Sequence, residues 1–168
     1  MRTILMLAAC FTLGAGLALA QQPTFHDPLL DKLTGQWLLQ GTIMGQPNTH
    51  DIAAEWVLGH QYVRIHEVSR EKNAQAHPDY EAMVFVGWDQ TASEYVCVWL
   101  DTYGGLSDTN IGHAKRGGDE IHFLFKGKDG VFHTRFLYHR ETSSWEWIMD
   151  SEEKGVTKPF ARVKLTRK

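Results

Sequence analysis

Tyr80-Glu81-Ala82-Met83-Val84-Phe85-Val86-Gly87-Trp88, followed by Asp89-Gln90-Thr91-Ala92-Ser93 and then Glu94-Tyr95-Val96-Cys97-Val98-Trp99-Leu100-Asp101, decides the fold class. The two flanking runs are rich in β-branched and aromatic residues, and the segment between them has a turn-forming composition, so the stretch reads as a hairpin. Both strands are apolar on both faces. Each face then has something to bury: a core on one side, and a covering element, a partner or a ligand cavity on the other.

The same signals continue outward in both directions. Toward the C-terminus, Ile121, Phe123 and Phe125 alternate with His122, Leu124 and Lys126, and Gly127-Lys128-Asp129-Gly130 makes a turn. On the return strand Phe132, Thr134, Phe136 and Tyr138 alternate with His133, Arg135 and Leu137. Pairing across that turn puts the aromatic positions on one face and the basic positions on the other. A weaker strand is expected over 108–115, and two more over 145–150 and 160–165. Toward the N-terminus, strands are expected over 35–44, 50–58 and 61–70. Gly45-Gln46-Pro47-Asn48 and Gly59-His60 read as turns, and residues 71–79 as a polar loop. Asp27-Pro28-Leu29-Leu30-Asp31-Lys32-Leu33 has the composition of a short helical turn laid across one end. About ten short strands with no amphipathic helix argue for an all-β protein. The expected architecture is a single antiparallel up-and-down β-barrel of about 8–10 strands with a short N-terminal helical turn.

The ends and the composition bound the class. Arg2, an uncharged apolar run over 4–19 and Ala18-Leu19-Ala20 have the form of a signal peptide over 1–20, leaving a barrel domain over 21–168 that is exported to the periplasm or secreted. The apolar run is shorter than the roughly 20 residues of a membrane span, so no transmembrane segment is expected after signal removal. Leu7-Ala8-Ala9-Cys10 has the form of a lipoprotein box. Cleavage there would leave an apolar region at or below the usual lower limit of about 7 residues, so anchoring at Cys10 is not expected. Without Cys10, Cys97 stands alone and no intramolecular disulfide can form; it reads as a small buried hydrophobe. A net charge of −3 disfavours nucleic acid as a partner.

Leu33-Thr34-Gly35-Gln36-Trp37 resembles the G-x-W opening of lipocalin-like (calycin) barrels. Three further segments extend the likeness. They are Glu55-Trp56-Val57-Leu58-Gly59-His60-Gln61-Tyr62; Gly87-Trp88-Asp89 with Glu94-Tyr95-Val96 and Trp99-Leu100-Asp101-Thr102; and Ala161-Arg162-Val163-Lys164-Leu165-Thr166-Arg167. In this order and spacing the chain resembles a secreted bacterial family, domain of unknown function 1579, over nearly all of residues 29–167. The resemblance implies a calycin-like barrel and no established catalytic residues. The chain departs from the family pattern at Trp88, where a tyrosine is expected, and at His60, where a glycine is expected.

Chemistry is sparsely signalled. Nine histidines raise the question of a metal, but His60 and His66, like His133 and His139, are spaced too far along a strand to share an ion. No cofactor is expected; haem on a single inward histidine is the alternative, with His66 the candidate. No nucleophile elbow or Ser-His-Asp motif occurs, so no catalytic residue is assigned, although Glu55, Glu67, Glu81 and Asp101 lie in or beside strands. Six tryptophans in or near strands are the better clue. A barrel of this size leaves interior room for one small apolar or amphipathic molecule. Tyr62, Arg64, His66, Met83, Phe85 and Trp99 are the candidate lining, on the premise that their faces turn inward. The expected form is a monomer or homodimer, and a structural or interaction module of the cell envelope is the further alternative.

Overall fold

The computed structural model describes residues 25–168, so the expected signal peptide and Cys10 lie outside the described residues. The chain opens with helix α1 (Pro28–Leu33). Strands β1 (Gly35–Ile43), β2 (Gln46–Val57), β3 (Tyr62–Ser69), β4 (Glu81–Asp89) and β5 (Glu94–Asp101) follow. A 3-10 turn (Asp108–Asn110) leads into β6 (Ile111–Ala114), and β7 (Arg116–Gly117) is a two-residue spur. The chain ends with β8 (Glu120–Lys126), β9 (Gly130–His139), β10 (Ser144–Glu153) and β11 (Val156–Arg167).

Consecutive strands pair antiparallel except β6 and β7, β1 also pairs with β11, and β6 pairs with β8. That last contact closes a ten-strand antiparallel barrel, with β7 as an appendage of β8. Apart from the two-residue β7, closure leaves no edge strand among the described residues to be protected from pairing with other chains. The seam is short, only Gly112↔Phe125 and His113↔Leu124. A side chain at Gly112 would run into the Phe125 ring, so the strands meet there because residue 112 has none.

The opening hairpin is β4–β5, with Ala82, Val84 and Val86 pointing inward opposite Asp101, Trp99 and Cys97. Two expected turns move. The first is the tight pair Met44-Gly45, both at positive φ (50° and 76°), so Gln46, Pro47 and Asn48 belong to β2, where Pro47 faces Thr42. The second lengthens to residues 58–61, with Leu58, Gly59 and His60 all at positive φ.

Inward side chains stack in tiers. At the α1 end, Trp37, Trp145, Leu30, Leu33, Tyr95 and Leu165 are essentially fully buried. The middle tier holds Leu39, Ile52, Ile65, Cys97, Phe123 and Trp147, with Trp147 stacked on Phe136 at 4.6 Å. Helix α1 plugs its end through identifiable bonds. Buried Asp27 caps it, accepting from Leu29 N and Leu30 N, and also accepts from the Tyr95 hydroxyl at 2.6 Å and pairs with Arg116 at 2.5 Å. At the other end of the helix, Trp37 Nε1 and Trp145 Nε1 donate to the carbonyls of Leu33 and Lys32, groups a helix C-terminus leaves open. Arg167 lies 4.3 Å over the Trp37 ring. Among the described residues no helix is long and apolar enough to cross a membrane.

Candidate functional site

The barrel is filled at the α1 end and open at the other. There a cavity of about 760 Å³ enters between the ends of the strands. This is within the range of small-molecule sites, and it arises because ten strands enclose a wider circle than the side chains of one tier fill. Its apolar wall is Ile43, Phe125, Phe132, Met149 and Phe160, with Phe132 and Phe160 edge-to-face at 5.1 Å. Trp99 closes another side, and its Nε1 donates to the Tyr80 hydroxyl at 2.9 Å.

Polar side chains line it as well, among them Asn48, Ser69, Asn110 and Thr134, and two of the lining residues are both buried and titratable. His50 on β2 and Glu67 on β3 sit at diagonal positions, since His50 pairs with Ser69 and Ile52 with Glu67. Their side chains meet inside the barrel, Nδ1 to Oε1 at 2.5 Å, with the residues 1% and 3% exposed. The far atoms of the pair, His50 Nε2 and Glu67 Oε2, are buried and have no hydrogen-bond partner. Arg64 Nε and Trp147 Nε1 are likewise buried without a partner, but of these residues only His50 and Glu67 line the cavity, where a bound group could offset the cost of about 1–3 kcal/mol per atom. The Tyr80 ring packs on His50 at 5.8 Å. Burial, aided by the nearby Glu67 carboxylate, pushes the Tyr80 phenol far up, so its hydroxyl stays protonated. Asp79 and Asp101 also line the cavity.

Of the six residues expected to line the interior, Trp99 does so. The other five lie on the outer face of β3 and β4. Tyr62 is 43% exposed and lies over Gly87, Arg64 pairs with Glu55, and His66 Nε2 contacts Glu81 Oε1 at 2.6 Å. Met83 pairs with His66 and Phe85 with Arg64, and both are half-buried on that same outer surface. The inward face of β3 is instead Val63, Ile65, Glu67 and Ser69, buried throughout. The decisive signal is the pair Val63 and Ile65, whose aliphatic side chains suit a core better than Tyr62 and Arg64; the charge at Glu67 on the same face masks it. His50 carried no motif at all, and only register brings it to Glu67.

Other polar groupings are on the outside. His122 and His133 meet at 3.0 Å on β8 and β9, and His133 reaches Glu152 at 3.2 Å. Burial, then the His133 charge, holds the His122 imidazole below its usual value. Among the described residues no group of three or more His, Cys, Asp and Glu is placed to hold a metal ion. An external depression of about 690 Å³ across β9–β11 is lined by Arg140, Glu146 and Arg162. Much of its charge is already paired, Arg140 with Asp119, His139 with Glu146 and Arg162 with Asp150, while Glu141 and Lys164 are exposed. It has no buried polar atom waiting for a partner, so the interior cavity is the stronger candidate.

Fold and site together define a closed ten-strand antiparallel barrel with a one-ended cavity and a buried His–Glu pair. No protein-family model matches the chain, and no curated protein matches it.

Proposed function

We propose that the protein binds one small amphipathic molecule in the open end of the barrel, as an exported carrier or sensor of the domain of unknown function 1579 type. The observation that carries this reading is the pair of orphaned buried atoms, His50 Nε2 and Glu67 Oε2, in an otherwise largely apolar cavity of about 760 Å³. A ligand with a polar head and an apolar body matches both parts of the site. Export rests on the sequence of residues 1–20.

The test is titration with N-phenyl-1-naphthylamine, a fluorophore that brightens in apolar sites. Its emission rises on adding the protein, and energy transfer from tryptophan falls in Trp99→Phe. Unchanged emission at micromolar protein would refute the carrier reading. Native mass spectrometry of protein isolated from its own host then identifies the resident molecule.

Haem binding is favoured by one feature. His50 has a carboxylate on Nδ1 and a free Nε2, the arrangement of an axial histidine held by its second partner. His50 lines the cavity and His66 does not, so the candidate axial ligand moves to His50. A Soret band on hemin titration, lost in His50→Ala, is the signature of this reading.

A further inference from the structure

The His50–Glu67 pair also restricts the chemistry of the molecule bound, and this step rests on the carrier reading above. The 2.5 Å contact between Nδ1 and Oε1 needs one proton between them. Where that is the only proton on the ring, Nε2 presents a bare lone pair. Glu67 Oε2 presents lone pairs as well, so both orphaned atoms are acceptors. A group that satisfies both at once must bring at least two donors. A primary ammonium has three donors and no acceptor, a hydroxyl has one donor, and a carboxylate has none.

The charge of the lining points the same way. Glu67, Asp79 and Asp101 line the cavity, and among the described residues no lysine or arginine does. Lys72, Lys128 and Lys154 belong to the connections at the open end, but all three are exposed and none lines the cavity. Arg64 and Arg70, on or just beyond β3, pair on the outside with Glu55 and Asp51. A carboxylate as buried as Glu67 is costly without a cation, and among the described residues His50 is its only basic partner. A ligand cation removes that deficit. A ligand anion adds to it. Tyr80 and Trp99 also line the cavity, and aromatic rings attract a cation.

We infer that the ligand is an amphipathic primary amine, its ammonium donating to His50 Nε2 and Glu67 Oε2 and its apolar body lying along Phe125, Phe132 and Phe160.

Decylamine, decanol and decanoate, each below its micellar concentration, are compared at neutral pH for displacement of N-phenyl-1-naphthylamine from the chain 21–168. The three share one tail and differ only in the head. Decylamine is expected to displace the probe at about tenfold lower concentration than decanol, with decanoate the weakest. Glu67→Gln brings decylamine to within about twofold of decanol while the fluorophore still binds. Asp101→Asn, which leaves the buried pair intact, lowers the amine preference by about two- to threefold and serves should Glu67→Gln not fold. Decanol or decanoate binding the wild-type protein as well as decylamine overturns the inference and leaves the carrier reading standing. Failure of the fluorophore itself to bind removes both. A Soret band with hemin that disappears in His50→Ala assigns Nε2 to iron and overturns the amine.

Discussion

Asp51 shows how a single outward residue on β2 ties the end of β3 to Lys168, just beyond β11. Its carboxylate accepts from Arg70 Nε and Nη2 and pairs with Lys168 at 2.5 Å, and these contacts, the Arg70 hydrogen bond foremost, lower it from 3.8 to about 2. A depressed acid stabilises the fold fully above its unfolded value, and that contribution is lost as pH falls through the folded one. An acid titration followed by carbon NMR should therefore find Asp51 ionising near 2, and Arg70→Ala should move it back toward 3.8. Cys97 is the opposite case, fully buried, with burial alone pushing its thiol up. It should resist an aromatic disulfide reagent in the folded protein and react stoichiometrically in denaturant; fast labelling of the native form would contradict the described packing. Cys97 was readable as a core residue because an apolar strand surrounds it. Glu67 was not readable as a cavity residue, because a lone carboxylate on a strand normally faces water.

At the scale of elements, α1 is six residues long and cannot be stable alone. It exists because Asp27 caps it and holds Tyr95 and Arg116, while Leu29, Leu30 and Leu33 fill the barrel end. Asp27→Ala removes the cap and leaves the Tyr95 hydroxyl and the Arg116 guanidinium without their acceptor. We expect a loss of about 2 to 4 kcal/mol in urea unfolding. A loss below about 0.5 kcal/mol would show that the plug does not depend on this residue. The helix was legible from Asp27-Pro28, a cap followed by proline in the first turn. The hairpin β8–β9 was legible for a similar reason: its strict alternation specifies one register, with Phe123 opposite Thr134 and Phe125 opposite Phe132. Strand β3 lacked that alternation, since Tyr62, Arg64 and His66 on one face and Val63, Ile65 and Glu67 on the other are both part apolar and part polar. Its register therefore followed from β2 and β4 rather than from its own residues.

The described residues form one continuous sheet around one core, so their unfolding should be a single event. Far-UV dichroism and tryptophan fluorescence should give coincident thermal transitions, and separated transitions would mean that the cavity end and the plugged end melt independently. Saturation with N-phenyl-1-naphthylamine at about 100 times its Kd should add about 2.7 kcal/mol to that stability. Strand number, the all-β class, the aromatic core and the end that carries the helix followed from residue patterns, because turn chemistry and side-chain alternation act over a few residues. The interior was a different matter. Which face of the hairpin 80–101 points inward depended on closure, and that His50 and Glu67 meet 17 positions apart depended on the register of β2 against β3. In a strand apolar on both faces, local energetics are nearly equal either way, and only the curvature and register of the closed barrel select one side.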